Sequence, residues 1–236
     1  MQKGSFNIVY KIGNIILKIK KYEDNFSKLI IKNMDNKRYK KYQKDLNKIG
    51  IKTSKIYLNV GNILFVEKYI KGNTLQQTIE SESVSIAKKI SLLKKFLKLY
   101  KYTLNSNICI DCNMKNFIIN KNDIYYIDFV PSLYKDKIDK VNNKYLSDYK
   151  LLYLDTKLQL LSIVNYVLKS MFYLNLEELM EFRNNLIKYI EKNFKLSLKI
   201  NYQNEYSRKY ELINKYIDGY INQDEFYKEY KKISKR

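Results

Sequence analysis

Asp128 stands twelve positions after Asn116, and the stretch between them leaves the chain few ways to run. Phe117-Ile118-Ile119 and Ile124-Tyr125-Tyr126-Ile127 are rich in β-branched and aromatic side chains, and a polar run, Asn120-Lys121-Asn122-Asp123, divides them. That pattern predicts a β-hairpin. A hairpin returns the chain on itself, so Asn116 and Asp128 can face one ion. Asp111 stands five residues before Asn116. A carboxylate, a carboxamide and a second carboxylate suit phosphoryl transfer, which needs one carboxylate near the attacking hydroxyl. It also needs two oxygen ligands for the magnesium that bridges the nucleotide phosphates.

Upstream segments fall in a compatible order. Gly4-Ser5-Phe6-Asn7-Ile8-Val9-Tyr10-Lys11, a Gly13-Asn14 turn and Ile15-Ile16-Leu17-Lys18-Ile19 read as an amphipathic hairpin that begins almost at the first residue. Any strand before it is therefore very short or missing. Ile63 to Val66 reads as a buried strand, and Lys71-Gly72 as a turn. Ser83 to Tyr102 carries Ile86, Ile90, Leu93, Phe96, Leu97 and Tyr100 at helical spacing, which predicts a long core helix just before Asp111.

On Asp111-x-x-x-x-Asn116 followed by Ile127-Asp128-Phe129, the chain resembles the protein-kinase-like superfamily. It is more similar to the small-molecule branch (aminoglycoside phosphotransferases, choline kinases, lipopolysaccharide core sugar kinases) than to protein kinases. It departs from the pattern at Cys109, where the catalytic loop usually has histidine, and at Val130, where protein kinases have glycine. The resemblance implies an α+β, two-lobed fold. Residues 1–70 would form a small antiparallel β-rich lobe and residues 71–236 a larger, mainly helical one.

The resemblance also implies roles. Asp111 would be the catalytic base, and Asn116 and Asp128 the Mg2+ ligands. Gly4 and Ser5 would belong to the loop that covers the phosphates of ATP, and Lys18 would contact the α and β phosphates. Glu67 would end the strand before the inter-lobe hinge, with Lys68 offering a carbonyl and Ile70 its amide and carbonyl to adenine. Lys18 should also meet a carboxylate from the small-lobe helix, which reads as Asn33 to Lys48. The middle of that helix has no acid where one is needed, near Tyr39, so Asp35, one turn earlier on the same face, is the expected partner. Glu23 is the second choice. Asp155 opens a buried helix and either braces the catalytic loop or simply caps that helix.

Length and composition fit one compact unit. The chain has 236 residues, one proline and six glycines, with no linker-like stretch and no internal repeat. The tail reads as helices near 176–193, 204–221 and 224–234. No apolar run reaches the ~18 residues of a membrane span and no signal peptide is evident, so the expectation is a cytoplasmic protein. Histidine is absent, which excludes H-E-x-x-H zinc sites, Ser-His-Asp and Cys-His nucleophiles, and histidine phosphorelays. Cys109 and Cys112 form a C-x-x-C, but they flank Asp111 in a loop before a hairpin. A redox pair belongs between a strand and a helix, so two free thiols are expected.

The formal net charge is +21 and is unevenly spread: residues 1–150 hold 30 Lys/Arg against 13 Asp/Glu, and residues 151–236 hold 15 against 11. Codon bias toward Lys, Asn, Ile and Tyr on solvated faces accounts for such an excess, and so does attraction of ATP and a neutral or anionic acceptor. Two functions fit. One is an ATP-dependent kinase acting on a hydroxyl of a small molecule or sugar, with protein kinase and pseudokinase open within the same fold. The other is a basic nucleic-acid-binding protein whose lysines and tyrosines grip phosphates and bases.

Overall fold

Among the described residues, short strands are concentrated in the first third of the chain and helices make up most of the rest. A computed structural model describes residues 2–3, 7–20, 39–60, 64–128, 133–140, 153–199 and 205–234. The predicted N-terminal hairpin is present as β2 (Asn7–Ile12) and β3 (Ile15–Lys20), which pair antiparallel, with Val9 opposite Lys18. Gly13 turns between them at φ +56°, a conformation costly for a residue with a Cβ. The strand before the hairpin, β1, is two residues long (Gln2–Lys3).

A helix, α1 (Tyr39–Lys48), follows, and then β4 (Lys52–Thr53), β5 (Ile56–Val60) and β6 (Leu64–Lys68). The first sheet has the order β1-β2-β3-β6-β5 and is antiparallel throughout. In β6, Phe65 and Glu67 are buried while Lys68 is exposed, the period of two that a half-buried strand imposes. The strand ends at Lys68, one residue beyond the expected Glu67.

A second, four-stranded sheet has the order β4-β9-β8-β7, from β7 (Asn73–Thr74), β8 (Phe117–Asn120) and β9 (Asp123–Tyr126). The predicted hairpin is β8–β9, with Phe117 opposite Tyr126 and Asn120 opposite Asp123. Gly72 is where its neighbour comes closest. A Cβ there would lie 1.9 Å from the Ile119 carbonyl oxygen, and φ is +150°.

The other helices are α2 (Leu75–Glu80), α3 (Ile86–Leu104), α4 (Lys135–Asp139), α5 (Thr156–Ser170), α6 (Leu176–Phe194), α7 (Glu205–Ile217) and α8 (Gln223–Ser234). The α7 helix ends four residues short of the expected Ile221, and the chain turns at Gly219 with φ +76°. The protein is thus α+β, with a small antiparallel sheet near the N-terminus and a mainly helical remainder.

The chain divides into two compact units. The first comprises Met1–Leu75, Lys98–Asp111 and Lys115–Leu154; the second comprises Gln76–Leu97, Cys112–Met114 and Asp155–Arg236. In the first, Tyr39, Tyr42 and Leu46 recur at helical spacing along the buried side of α1, and Tyr39 meets Phe65 edge-on at 5.5 Å between ring centres. In the second, α5 is buried nearly all round, with Leu160, Leu161, Val164, Val167 and Leu168 fully inaccessible. Asp155 caps this helix, accepting from the Lys157 and Leu158 amides at 2.8 and 3.0 Å. Phe172, Tyr216 and Phe226 pack their rings together, with centre separations of 4.8 to 5.5 Å. Among the described residues no helix is long and apolar enough to cross a membrane.

Candidate active site

Lys18 lies on the central strand β3, where register decides what it can touch. It stands opposite Phe65 on β6, so its diagonal neighbour on the same face is Glu67. The Lys18 ammonium lies 3.1 Å from Glu67 Oε1, with Glu67 only 2% exposed, and Ser54 Oγ donates to the other carboxylate oxygen at 2.6 Å. Among the described residues, the carboxylate that meets Lys18 therefore comes from the neighbouring strand. Asp35 and Glu23, the partners expected from sequence, lie outside the described residues, as do Gly4 and Ser5.

Lys18 also donates to the Ile127 carbonyl at 2.5 Å. That carbonyl belongs to the residue just before Asp128. The Ile127 amide donates in turn to the Asn116 carbonyl at 2.9 Å, so one residue at the end of β9 is held from both sides. Asn116 closes a short 3-10 turn, Met114–Asn116, and its Nδ2 donates to Asp111 Oδ2 at 3.0 Å. With its NH2 end turned to Asp111, the carboxamide oxygen is the atom that remains for a cation.

The loop bearing Asp111 is held by backbone bonds to distant elements. The Cys109 amide donates to the Leu133 carbonyl at 2.8 Å, and Ile108 bridges Tyr134. The Tyr42 hydroxyl, from α1, donates to the Cys109 carbonyl. The Asp111 amide donates to the Tyr126 hydroxyl at 3.1 Å. Both phenols are fully buried. Burial raises the pKa of each well above the usual tyrosine value. Coupling to the neighbouring Cys109 adds to this for Tyr42, and coupling to Tyr42, Asp111 and Asp128 adds to it for Tyr126. Asp111 and Asp128 thus lie within electrostatic reach of the same hydroxyl.

Lys18, Asp111, Asn116 and Asp128, from three separate stretches of sequence, are brought into one connected neighbourhood within the first unit. Lys68 and Ile70 are described at and just beyond the end of β6, Lys68 exposed and Ile70 buried. The Lys68 and Tyr69 amides are committed to the Lys55 and Asn14 carbonyls at 2.8 and 2.9 Å. Cys109 and Cys112 are free thiols. Burial pushes the Cys109 thiol up to about 12, the opposite of what a reactive redox cysteine requires.

Three residues of this neighbourhood carried no functional role in the sequence: Glu67, Tyr42 and Tyr126. The signal for Glu67 was the alternation along β6, which turns an acid inward beside Phe65. Nothing local distinguishes Tyr42 or Tyr126 among the 24 tyrosines.

No protein-family model matches this chain, and no curated protein matches it. Among solved structures it is similar to the choline kinase LicA from Streptococcus pneumoniae, at 13% identity and a TM-score of 0.30, over 93% of this chain and 92% of that one. A likeness at that level assigns neither fold family nor activity to this chain.

Proposed function

We propose that the protein is an ATP-dependent phosphotransferase of the cytoplasm that phosphorylates a hydroxyl of a small molecule or sugar. The fold would be two-lobed and kinase-like, with residues 1–70 and 71–236 as its lobes. One observation carries the reading: Lys18 bonds the Ile127 carbonyl beside Asp128, while the Ile127 amide bonds Asn116, whose side chain bonds Asp111. Lys18, Asn116 and Asp111, chosen from sequence for one reaction, are thereby linked by hydrogen bonds that run through Ile127, the residue before Asp128.

The donor chemistry suits the cofactor. A carboxylate and a carboxamide oxygen are hard ligands of the kind magnesium takes. Asp128 and Asn116 would hold the ion, Lys68 and Ile70 would face adenine, and Gly4 and Ser5 would cover the phosphates. Bound Mg-ATP supplies the electrophilic phosphorus and a neutralised leaving group. Asp111 takes the proton of the acceptor hydroxyl as the oxygen attacks, and its bond from Asn116 keeps one carboxylate oxygen oriented. Lys18 has three N–H donors; with one on Ile127 and its charge against Glu67, it retains donor capacity for phosphate oxygens. The positive excess of residues 1–150 favours a neutral or anionic acceptor over a polycationic one.

Titration with Mg-ATP tests this. A ligand that binds only the folded state must raise its stability by mass action, so millimolar Mg-ATP should raise the melting temperature. No shift for well-folded protein overturns the reading. Steeply salt-dependent binding of nucleic acid without an ATP effect would favour the nucleic-acid-binding function instead.

A further inference from the structure

We propose, on the phosphotransferase reading above, that Tyr42 and Tyr126 are positioning residues: two buried phenols that clamp the backbone on either side of Ile110 and set where the Asp111 carboxylate stands. Tyr42 donates a hydrogen bond from its hydroxyl to the Cys109 carbonyl, and Tyr126 accepts one from the Asp111 amide at 3.1 Å. Ile110, between these two anchored residues, is fully buried. The two phenols arrive from different parts of the fold, one on α1 and one on β9.

Each ring is itself fixed. Tyr42 meets Tyr134 edge-on at 5.3 Å, and Tyr126 stacks on Phe117 at 5.0 Å with an interplanar angle of 21°. Packing alone would be served as well by phenylalanine at both places. A hydroxyl in so buried a position has its own desolvation cost, which hydrogen bonds at these backbone groups offset. The loop needs them, because residues 109–111 lie outside any helix or strand and cannot bond within a ladder of their own.

A phenol also suits the neighbourhood electrostatically. A lysine there would draw the Asp111 proton off more readily and weaken it as a base, and a second carboxylate would hold it on. A phenol is neutral at pH 7, so both tyrosines hold the loop without adding charge beside Asp111. With the backbone clamped at 109 and 111 and the carboxylate tied to Asn116 at 3.0 Å, the base has little freedom left. Loss of such constraint is costly in rate, since a displacement of about 1 Å can cost on the order of 100-fold.

The test uses the full chain, with Tyr42→Phe and Tyr126→Phe made separately and Mg-ATP as the probe with water as acceptor. In that reaction the bond from the γ-phosphorus to the β–γ bridging oxygen breaks, a bond from water oxygen forms, and the water proton passes to Asp111. Phosphate release gives kcat and KM, and nucleotide titration gives the number of ATP sites per chain. The expectation is a kcat lowered by ~10- to 100-fold in each variant, with ATP stoichiometry retained and KM close to wild type. Should one variant fail to fold, the other carries the test. Wild-type turnover in the folded variants, or a fall only in proportion to ATP sites lost, overturns the positioning role and leaves the phosphotransferase reading intact. No phosphate release by the wild type overturns both.

Discussion

Residues 108–110, which lead into Asp111, and helix α5 are both buried, yet the Asp111 loop and the helix are held in opposite ways. The α5 helix satisfies its own backbone and gains stability largely from apolar side chains, with a local cap at its start, where Asp155 accepts from two amides. The Asp111 loop has no repeating bonds. Its polar groups are met one by one, by Tyr42, Tyr126, Leu133 and Asn116. Apolar burial is non-directional and tolerates small shifts, whereas each loop bond fixes a direction. Stability and placement are therefore served by different regions.

That contrast predicts different consequences of damage. The largest effect belongs to Asp128→Ala, which removes a charged ligand from the reacting end. Phosphoryl transfer should fall by on the order of 1000-fold, with melting temperature nearly unchanged but the magnesium-dependent part of the ATP shift lost. Activity preserved in this variant breaks the assignment of Asp128. Asn116→Ala should act in the same direction and less strongly, because it removes geometry without charge.

Leu161→Ala reverses the pattern. A fully buried leucine cut back in α5 should cost about 2–5 kcal/mol in chemical denaturation, while turnover per folded molecule stays close to wild type. A fall in kcat without loss of stability would mean that α5 also places catalytic atoms. Asp155→Ala separates its two sequence-level readings more gently. As a cap alone it should cost about 1 kcal/mol and leave kcat per folded molecule unaffected; a marked loss of turnover would restore the loop-bracing role.

The smallest effect is expected from the cysteines. The double change of Cys109 and Cys112 to serine should keep most of the phosphotransferase activity. With the Cys109 thiol pushed up to about 12, its alkylation in the folded state should be slow at pH 8 and limited by opening of the structure. Complete loss of transfer with the fold intact would give the thiols a role after all.

What the sequence by itself determined is local. The β8–β9 hairpin follows from two β-rich runs around a polar turn, and the α5 start from Asp155 bonding amides two and three residues on. The period of α3 was legible too, since residues three and four apart share a face whatever surrounds them. Tertiary structure alone decided which atoms meet across the chain. Lys18 reaches Ile127 over 109 residues and Tyr42 reaches Cys109 over 67, and neither contact leaves a trace in local spacing. Glu67 shows the boundary between the two. Its inward direction follows from alternation along β6, but its pairing with Lys18 depends on the β3–β6 register, which only the packed sheet establishes.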